Sequence, residues 1–169
     1  LDGNQGFESV ANAFELAMVI RPNRLIGFEQ PFKVGHEALN TDLAQQTGAL
    51  VFADESLQDE RGIDMTVKYF GGVNIKLMKC GGLDRALAIS AASRAKGLHV
   101  MLGSMSESSL GCTAMAQLAG EALVLDLDGP WLISNDPFVG LQLSGRTIVI
   151  PEGPGLGVQL VLEIDWNGA

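Results

Sequence analysis

The sequence predicts an α/β fold of the (β/α)8, TIM-like barrel type, incomplete at its amino-terminal side. Three observations carry this reading. Short apolar runs alternate with longer helical patterns, the order that builds parallel βα units. The runs recur roughly 25 residues apart, about the length of one such unit. A polar or ionisable residue closes nearly every run, and the carboxyl ends of barrel strands form the face that carries active sites.

Each element has its own signal. Leu1-Asp2 reads as the tail of a strand. Val10, Phe14 and Met18 recur every four residues after the polar Glu8-Ser9, which predicts a helix with those three on its apolar face. Leu25 to Phe28 predicts a buried strand closed by Glu29, and Leu50 to Ala53 one closed by Asp54. Val73 to Ile75 runs into Lys76. Asp84 to Lys96 is alanine-rich, preceded by Gly81-Gly82 and stopped by Gly97, so it predicts a helix. Val100 to Leu102 is a strand closed by Gly103-Ser104. Leu110, Ala114 and Leu118 line a helix ending near Gly120, and Leu123 to Leu125 is a last strand closed by Asp126. Residues 141–150 alternate like a strand or hairpin. GPGLG at 153–157 reads as a turn, because no GxGxxG follows a strand anywhere. About six strand ends are visible, whereas a closed barrel needs eight strands and about 250 residues. The chain is therefore expected to be the later part of a longer barrel, two strands and whatever preceded them being absent from it.

Composition narrows the function classes. The chain has 169 residues, 47% hydrophobic and 18% charged, enough for one ordered domain with a sizeable core. A net charge of -9, few aromatics and no basic run argue against nucleic acid and anionic membranes. No apolar run approaches the roughly 20 residues of a span, and there is no secretory pattern; a soluble, cytoplasmic protein is expected. Cys80 and Cys112 lie far apart in no CxxC and read as reduced thiols. His36 and His99 are isolated and support no zinc site.

Asp2, Glu29 and Asp54 close three successive strands. Each alone could be a helix cap or a solvated loop charge. Converging on one barrel mouth they would repel, and a hard divalent cation such as Mg²⁺ relieves that while leaving positions open for substrate. In Val73-Asn74-Ile75-Lys76, Asn74 and Lys76 share a strand face. If that face is the interior, Lys76 projects into the mouth. A free lysine, with a pKa of about 10.4, is a poor base; a nearby cation and partial burial are expected to lower it. Lys79 lies beyond the strand and is expected to face solvent or pair with a loop carboxylate. A divalent cation, a lysine and a barrel mouth suggest proton abstraction next to a carboxylate through an enediolate.

The segments DGNQGF (2–7), FEQP (28–31), ADES (53–56) and NIKLMKCGG (74–82) resemble, in order, the three metal-ligand strands and the sixth-strand lysine of the muconate lactonising enzyme subgroup of the enolase superfamily. The resemblance runs from Leu1 to about Leu160. It implies that Asp2, Glu29 and Asp54 bind Mg²⁺ and that Lys76 is one acid/base. A lysine there argues against the mandelate racemase subgroup. In LDLDGP (125–130), Asp126 and Asp128 share a strand face, and paired carboxylates can hold an ammonium group. A turn with a helix cap is the alternative on the residues alone; the following Gly-Pro argues against a calcium loop. This Asp-x-Asp resembles the dipeptide epimerases, of the L-Ala-D/L-Glu type, where the pair binds the substrate α-ammonium. GSMSESSLG (103–111) resembles their seventh-strand loop, implying Ser104, Ser106 and Glu107 as further substrate contacts.

The resemblance also implies a division of the chain. Residues 1–140 would run from the end of strand 3 to strand 8 of the barrel, and 141–169 would form a hairpin and tail packing towards an amino-terminal capping domain. That domain, and the second-strand Lys-x-Lys expected opposite Lys76, are not in this sequence. The expected activity is Mg²⁺-dependent epimerisation of a small dipeptide by 1,1-proton transfer. The alternatives are o-succinylbenzoate synthase, N-acylamino acid racemase or cycloisomerase chemistry of the same subgroup, or a non-catalytic barrel fragment. Homo-oligomerisation, or association with the missing amino-terminal part, is left open.

Overall fold

The structure, a computed structural model, describes residues 1–20, 24–145 and 147–161. Five parallel strands form one sheet in chain order: β1 (Gly27–Glu29), β2 (Leu50–Ala53), β3 (Gly72–Lys76), β4 (His99–Gly103) and β5 (Val124–Asp126). Leu1-Asp2 extends this sheet beside β1, because Asp2 bridges Glu29 in parallel. The Glu29 N–H donates to Leu1 O at 2.8 Å, and the Gly3 N–H donates to Glu29 O at 2.8 Å. Parallel neighbours need crossover connections. These run through α1 (Val10–Ile20), α2 (Ala38–Thr47), α3 (Ile63–Tyr69), a single turn α4 (Leu77–Cys80), α5 (Leu83–Ala95) and α6 (Ser109–Ala116). The architecture is the expected one, a partial α/β barrel.

Strand alternation divides the sheet into two faces. Phe28, Val51, Ala53, Val73, Ile75, Val100 and Leu102 are at most 2% exposed and join Ala13, Ala17, Leu43, Ala86 and Ile89 of the helices in one core. Burying each large apolar side chain contributes about 1.5–3 kcal/mol relative to exposure. The helix α1 corrects one expectation: its deeply buried line is Ala13 and Ala17, while Met18 is 42% exposed. Small side chains let the helix axis approach the core closely, and the larger residues of the predicted stripe are left at its flank. On α6 the buried positions include Cys112 and Met115, whereas Leu110 is exposed.

The opposite face carries Gly27, Phe52, Gly72, Met101 and Val124 at its lower levels. A Cβ on Gly72 would stand 2.5 Å from Phe52 Cδ1, and one on Gly27 would stand 2.8 Å from Phe52 Cε2. Both glycines therefore make room for one buried aromatic ring that floors this face. The strands are staggered. Glu29 pairs with Phe52 and Phe52 with Gly72, while Lys76 pairs with Gly103 and Gly103 with Asp126. Lys76 thus stands four residues beyond the register row of Glu29, yet their charged groups meet. Strand tilt in a barrel brings residues of different register rows to one level.

Beyond the sheet, β6 (Phe138–Val139) pairs with β9 (Gln159–Leu160). The alternating segment forms the hairpin β7 (Gln142–Ser144) and β8 (Thr147–Val149). Gly153, Gly155 and Gly157 all have positive φ, which fits the turn read from GPGLG. Both cysteines are free and buried, and His99 opens β4 from an exposed position. Among the described residues no helix is long and apolar enough to cross a membrane.

Candidate active site

The site lies where β1, β2 and β3 end. Strand parity sends Asn74 and Lys76 to the same side, as expected. The Lys76 Nζ stands 3.1 Å from Glu29 Oε1 and 2.8 Å from Asp54 Oδ2. The Asn74 Nδ2 donates to Glu29 Oε1 at 2.7 Å. Glu29, Asp54, Asn74 and Lys76 are all buried. Gly103 shapes this level: a Cβ there would lie 2.5 Å from Asn74 Nδ2, so the glycine admits the amide that holds Glu29.

Burial sets the electrostatics. It raises the Glu29 carboxyl above its ordinary value, against the hydrogen bond from Asn74 and the charge of Lys76; the nearby Asp2 adds to the rise. Burial acts the same way on Asp54, but the charge of Lys79 and the hydrogen bonds from Lys76 and Lys79 outweigh it and hold that carboxyl low. Burial alone would lower Lys76, yet its bond to Asp54 and the charges of Glu29 and Asp54 hold the ammonium above the ordinary lysine value. Burial by itself is not enough to lower Lys76 here, because two carboxylates face the ammonium directly.

Lys79 also departs from expectation. The turn α4 closes on Gly81, whose φ of 83° and N–H bond to Leu77 O at 2.9 Å end it in the left-handed conformation. That turn swings Lys79 back beneath the strand ends. Its side chain is 10% exposed, and its ammonium bonds to Asp54 Oδ1, to Asp54 O at 2.9 Å and to Asn74 O at 3.2 Å. It is not a solvated loop charge. Its partner is a strand-end carboxylate, and burial pushes its ammonium below the ordinary value despite Asp54.

A residue the sequence reading passed over links the first two strand ends. Gln30 is fully buried. Its Oε1 accepts from the Asp54 N–H at 2.9 Å and the Ser56 N–H at 3.1 Å; its Nε2 donates to Phe32 O at 3.0 Å and Ser56 Oγ at 2.9 Å. The one available signal was its place inside FEQP, directly after a strand-end carboxylate.

The three carboxylates do not converge as a set. Asp2 is exposed and accepts from the Asn4 N–H at 2.7 Å. Among the described residues no three His, Cys, Asp or Glu side chains are grouped closely enough to hold a metal ion. The Lys76 ammonium neutralises the inner pair, which leaves little to draw Asp2 inward. The donor chemistry nevertheless suits a hard divalent cation. Glu29 Oε1 and Asp54 Oδ2 converge on one point, and Asn74 Oδ1 is buried with no hydrogen-bond partner. These are oxygen donors in a water-poor place.

At the far edge of the sheet, buried Leu127 separates Asp126 and Asp128, which are both exposed. Partial desolvation by the sheet beneath it first, then the charge of Asp128, raises the Asp126 carboxyl above its ordinary value although the residue as a whole is exposed. Ser104 Oγ donates to Asp126 O at 3.2 Å and accepts from the Gly129 N–H at 3.1 Å, so it ties the Asp-x-Asp turn to the end of β4. Ser106 is exposed. Glu107 folds back to accept from the Met105 N–H at 3.2 Å, and burial raises its carboxyl. A groove of about 470 Å³ runs between the two edges of the sheet, lined by Asp2, Glu29, Phe52, Met101, Val124 and Asp126 among others. It joins the Glu29 side of the site to the Asp-x-Asp side.

Fold and strand ends together define a parallel α/β barrel unit with its ionisable groups at the carboxyl ends of the strands. The chain belongs to the enolase C-terminal domain-like family, whose sequence model matches residues 1–164. It is 36% identical over 164 residues to the L-Ala-D/L-Glu epimerase of Bacteroides thetaiotaomicron, covering 95% of this chain and 42% of that protein. Among solved structures it is similar to a substrate-liganded L-Ala-D/L-Glu epimerase from Bacillus subtilis, with a TM-score of 0.80 and 33% identity over 94% of this chain and 46% of that one. It is also similar to a dipeptide epimerase from Cytophaga hutchinsonii complexed with Mg and the dipeptide D-Ala-L-Val, with a TM-score of 0.81 and 28% identity over 98% and 46%. The chain spans about half the length of the curated relatives it matches.

Proposed function

We propose that this chain carries one side of the proton-transfer site of a dipeptide epimerase, with Lys76 as an acid/base. The observation that supports this most is the Lys76 ammonium, buried between Glu29 and Asp54 at the strand ends, on a sheet whose far edge presents Asp126 and Asp128. Glu29 and Asp54, joined by Asp2 if it turns inward from its exposed position, would hold a divalent cation, Mg²⁺ in our reading. When bound, that cation supplies positive charge to a substrate carboxylate and competes with Lys76 for Glu29 and Asp54. In its neutral form Lys76 accepts the α-proton of the carboxyl-terminal residue, and the C–H electron pair moves into the adjoining carboxylate. In its ammonium form it returns a proton to the same face. Asp126 and Asp128 bind the substrate ammonium by charge-assisted hydrogen bonds. Ser104 holds their turn in place, and Ser106 and Glu107 sit on the loop that would close over the ligand.

Inversion requires a second acid/base on the opposite face of the α-carbon. Lys33, Lys68 and Lys96 are exposed on loops and helices, so this group would come from outside the described residues. The barrel portion would be residues 1–140, and the segment that begins at residue 141 would pack against a further part of the protein, its residues 162–169 lying outside the described residues. The test is a panel of dipeptides, L-Ala-L-Glu first, incubated with the full-length natural protein and Mg²⁺ and resolved by chiral chromatography. Epimerisation at the carboxyl-terminal residue only, lost on N-acetylation of the dipeptide, is the expected result. Equal turnover of N-acylated substrates would replace this reading with an N-acylamino acid racemase.

A further inference from the structure

Asp54 is held from two directions by side chains that do not themselves line the groove. Gln30, from the loop after β1, takes its main-chain N–H at 2.9 Å. Lys79, from the turn after β3, takes its carbonyl oxygen at 2.9 Å and its Oδ1. Only Oδ2 is left to face Lys76, at 2.8 Å. The holders are themselves fixed. All four hydrogen-bonding positions of the Gln30 amide are used, and the three ammonium protons of Lys79 match three acceptors on Asp54 and Asn74. The void beside Lys76 and Lys79 is about 10 Å³, no more than one water needs, so there is little room for solvent to take over the Lys79 contacts.

We propose that Gln30 and Lys79 are positioning residues that clamp Asp54, fixing which carboxylate oxygen is offered to the cation and how far it stands from Glu29. Gln30 follows Glu29 directly in sequence, so one clamp residue sets the Asp54 main chain relative to its neighbouring carboxylate. Lys79 places a positive charge on the protein side of Asp54, which lets an ionised carboxylate stand in a buried site without a second anion-binding group in the groove. This inference rests on the reading of Asp54 as a cation ligand.

The test uses the full-length natural protein, with Mg²⁺ binding read by calorimetry and the bound-ion environment read by the electron paramagnetic resonance spectrum of Mn²⁺. Lys79→Met removes the ammonium at similar length. Gln30→Met keeps the length, removes the acceptor that takes the Asp54 N–H, and carries the test should Lys79→Met not fold. Each is expected to weaken Mg²⁺ by about 10–100-fold, the usual cost of losing a group that orients a ligand, and to alter the Mn²⁺ spectrum. A folded variant of either kind with wild-type affinity and an unchanged spectrum overturns the clamp, provided Asp54→Asn still loses the ion. If Asp54→Asn also binds Mg²⁺ as wild type does, the cation-ligand reading fails and the clamp with it.

Discussion

Replacing Lys76 with Met removes the one cation, among the described residues, that touches both Glu29 and Asp54. Breaking a buried ion pair by deleting one partner costs about 3–5 kcal/mol, because the remaining charge is left without compensation. Two features place the cost near the lower end here. Asp54 keeps its bond to Lys79, and Glu29 keeps its bond from Asn74 at 2.7 Å. Glu29 can also take up a proton, since burial already raises its carboxyl. The expected loss in the absence of divalent cations is therefore about 3 kcal/mol. The assay is urea unfolding of the full-length protein in EDTA, repeated with saturating Mg²⁺. An ion that occupies the same carboxylates should restore much of the loss, and the variant should be stabilised by Mg²⁺ more than the wild type is. A Lys76→Met protein within about 0.5 kcal/mol of wild type in EDTA, the range of an ordinary surface change, would refute the buried-pair argument.

Gly72→Ala forces a Cβ to within 2.5 Å of the Phe52 ring and 2.8 Å of His99 O; a loss of about 1–3 kcal/mol is expected from overpacking, read by the same unfolding curve. Asp136 accepts from Ser109 N–H at 2.7 Å, Ser109 Oγ at 2.6 Å and Phe138 N–H at 3.0 Å. Burial opposes its charge, but these bonds outweigh it and hold the carboxyl below the usual range. Its contribution is thus complete above the unfolded carboxylate value and is lost as pH falls through the lower folded one. Asp136→Ala should cost about 1.5–3 kcal/mol at neutral pH and lose less than wild type on acidification, measured by unfolding from pH 7 downwards. Burial first, then the charge of Glu107, pushes the Cys112 thiol up to about 11, so roughly one in a thousand is thiolate at pH 8. Site-resolved alkylation should find Cys112 protected until the protein unfolds. Asp126→Asn combined with Asp128→Asn should raise KM for dipeptides with a free ammonium by at least tenfold and leave N-acylated analogues unmoved, checked by steady-state kinetics.

Lys76 could be placed from sequence because strand parity is a period of two: once Val73 and Ile75 face the helices, Asn74 and Lys76 must face the other way. The strand ends were readable for the same reason. What sequence could not give was the stagger that brings Lys76 level with Glu29 across different register rows, because tilt is a property of the closed sheet and not of any strand. Lys79 was misjudged because α4 is a single turn, too short for a periodic signal; the Gly81 that ends it was visible, but its effect on the lysine was not. In α1, hydrophobicity favoured Val10, Phe14 and Met18, while packing distance favoured Ala13 and Ala17. Gln30 has a φ of 30°, an uncommon conformation for a residue with a side chain, and four simultaneous bonds to distant loops; neither leaves a local trace.

The most direct test of the account is hydrogen exchange at carbon. The full-length protein is incubated in heavy water with Mg²⁺ and, separately, L-Ala-L-Glu and L-Ala-D-Glu, and deuterium at the α-carbon of the glutamate is followed by NMR, beside a Lys76→Met variant shown to be folded and to bind Mg²⁺. The account predicts exchange by the wild type with both isomers and, in the variant, a loss of at least a hundredfold for the isomer whose α-proton faces Lys76, the usual scale for removing a general acid/base. Exchange that persists undiminished in the variant with both isomers would contradict the assignment of Lys76 as a proton-transferring group.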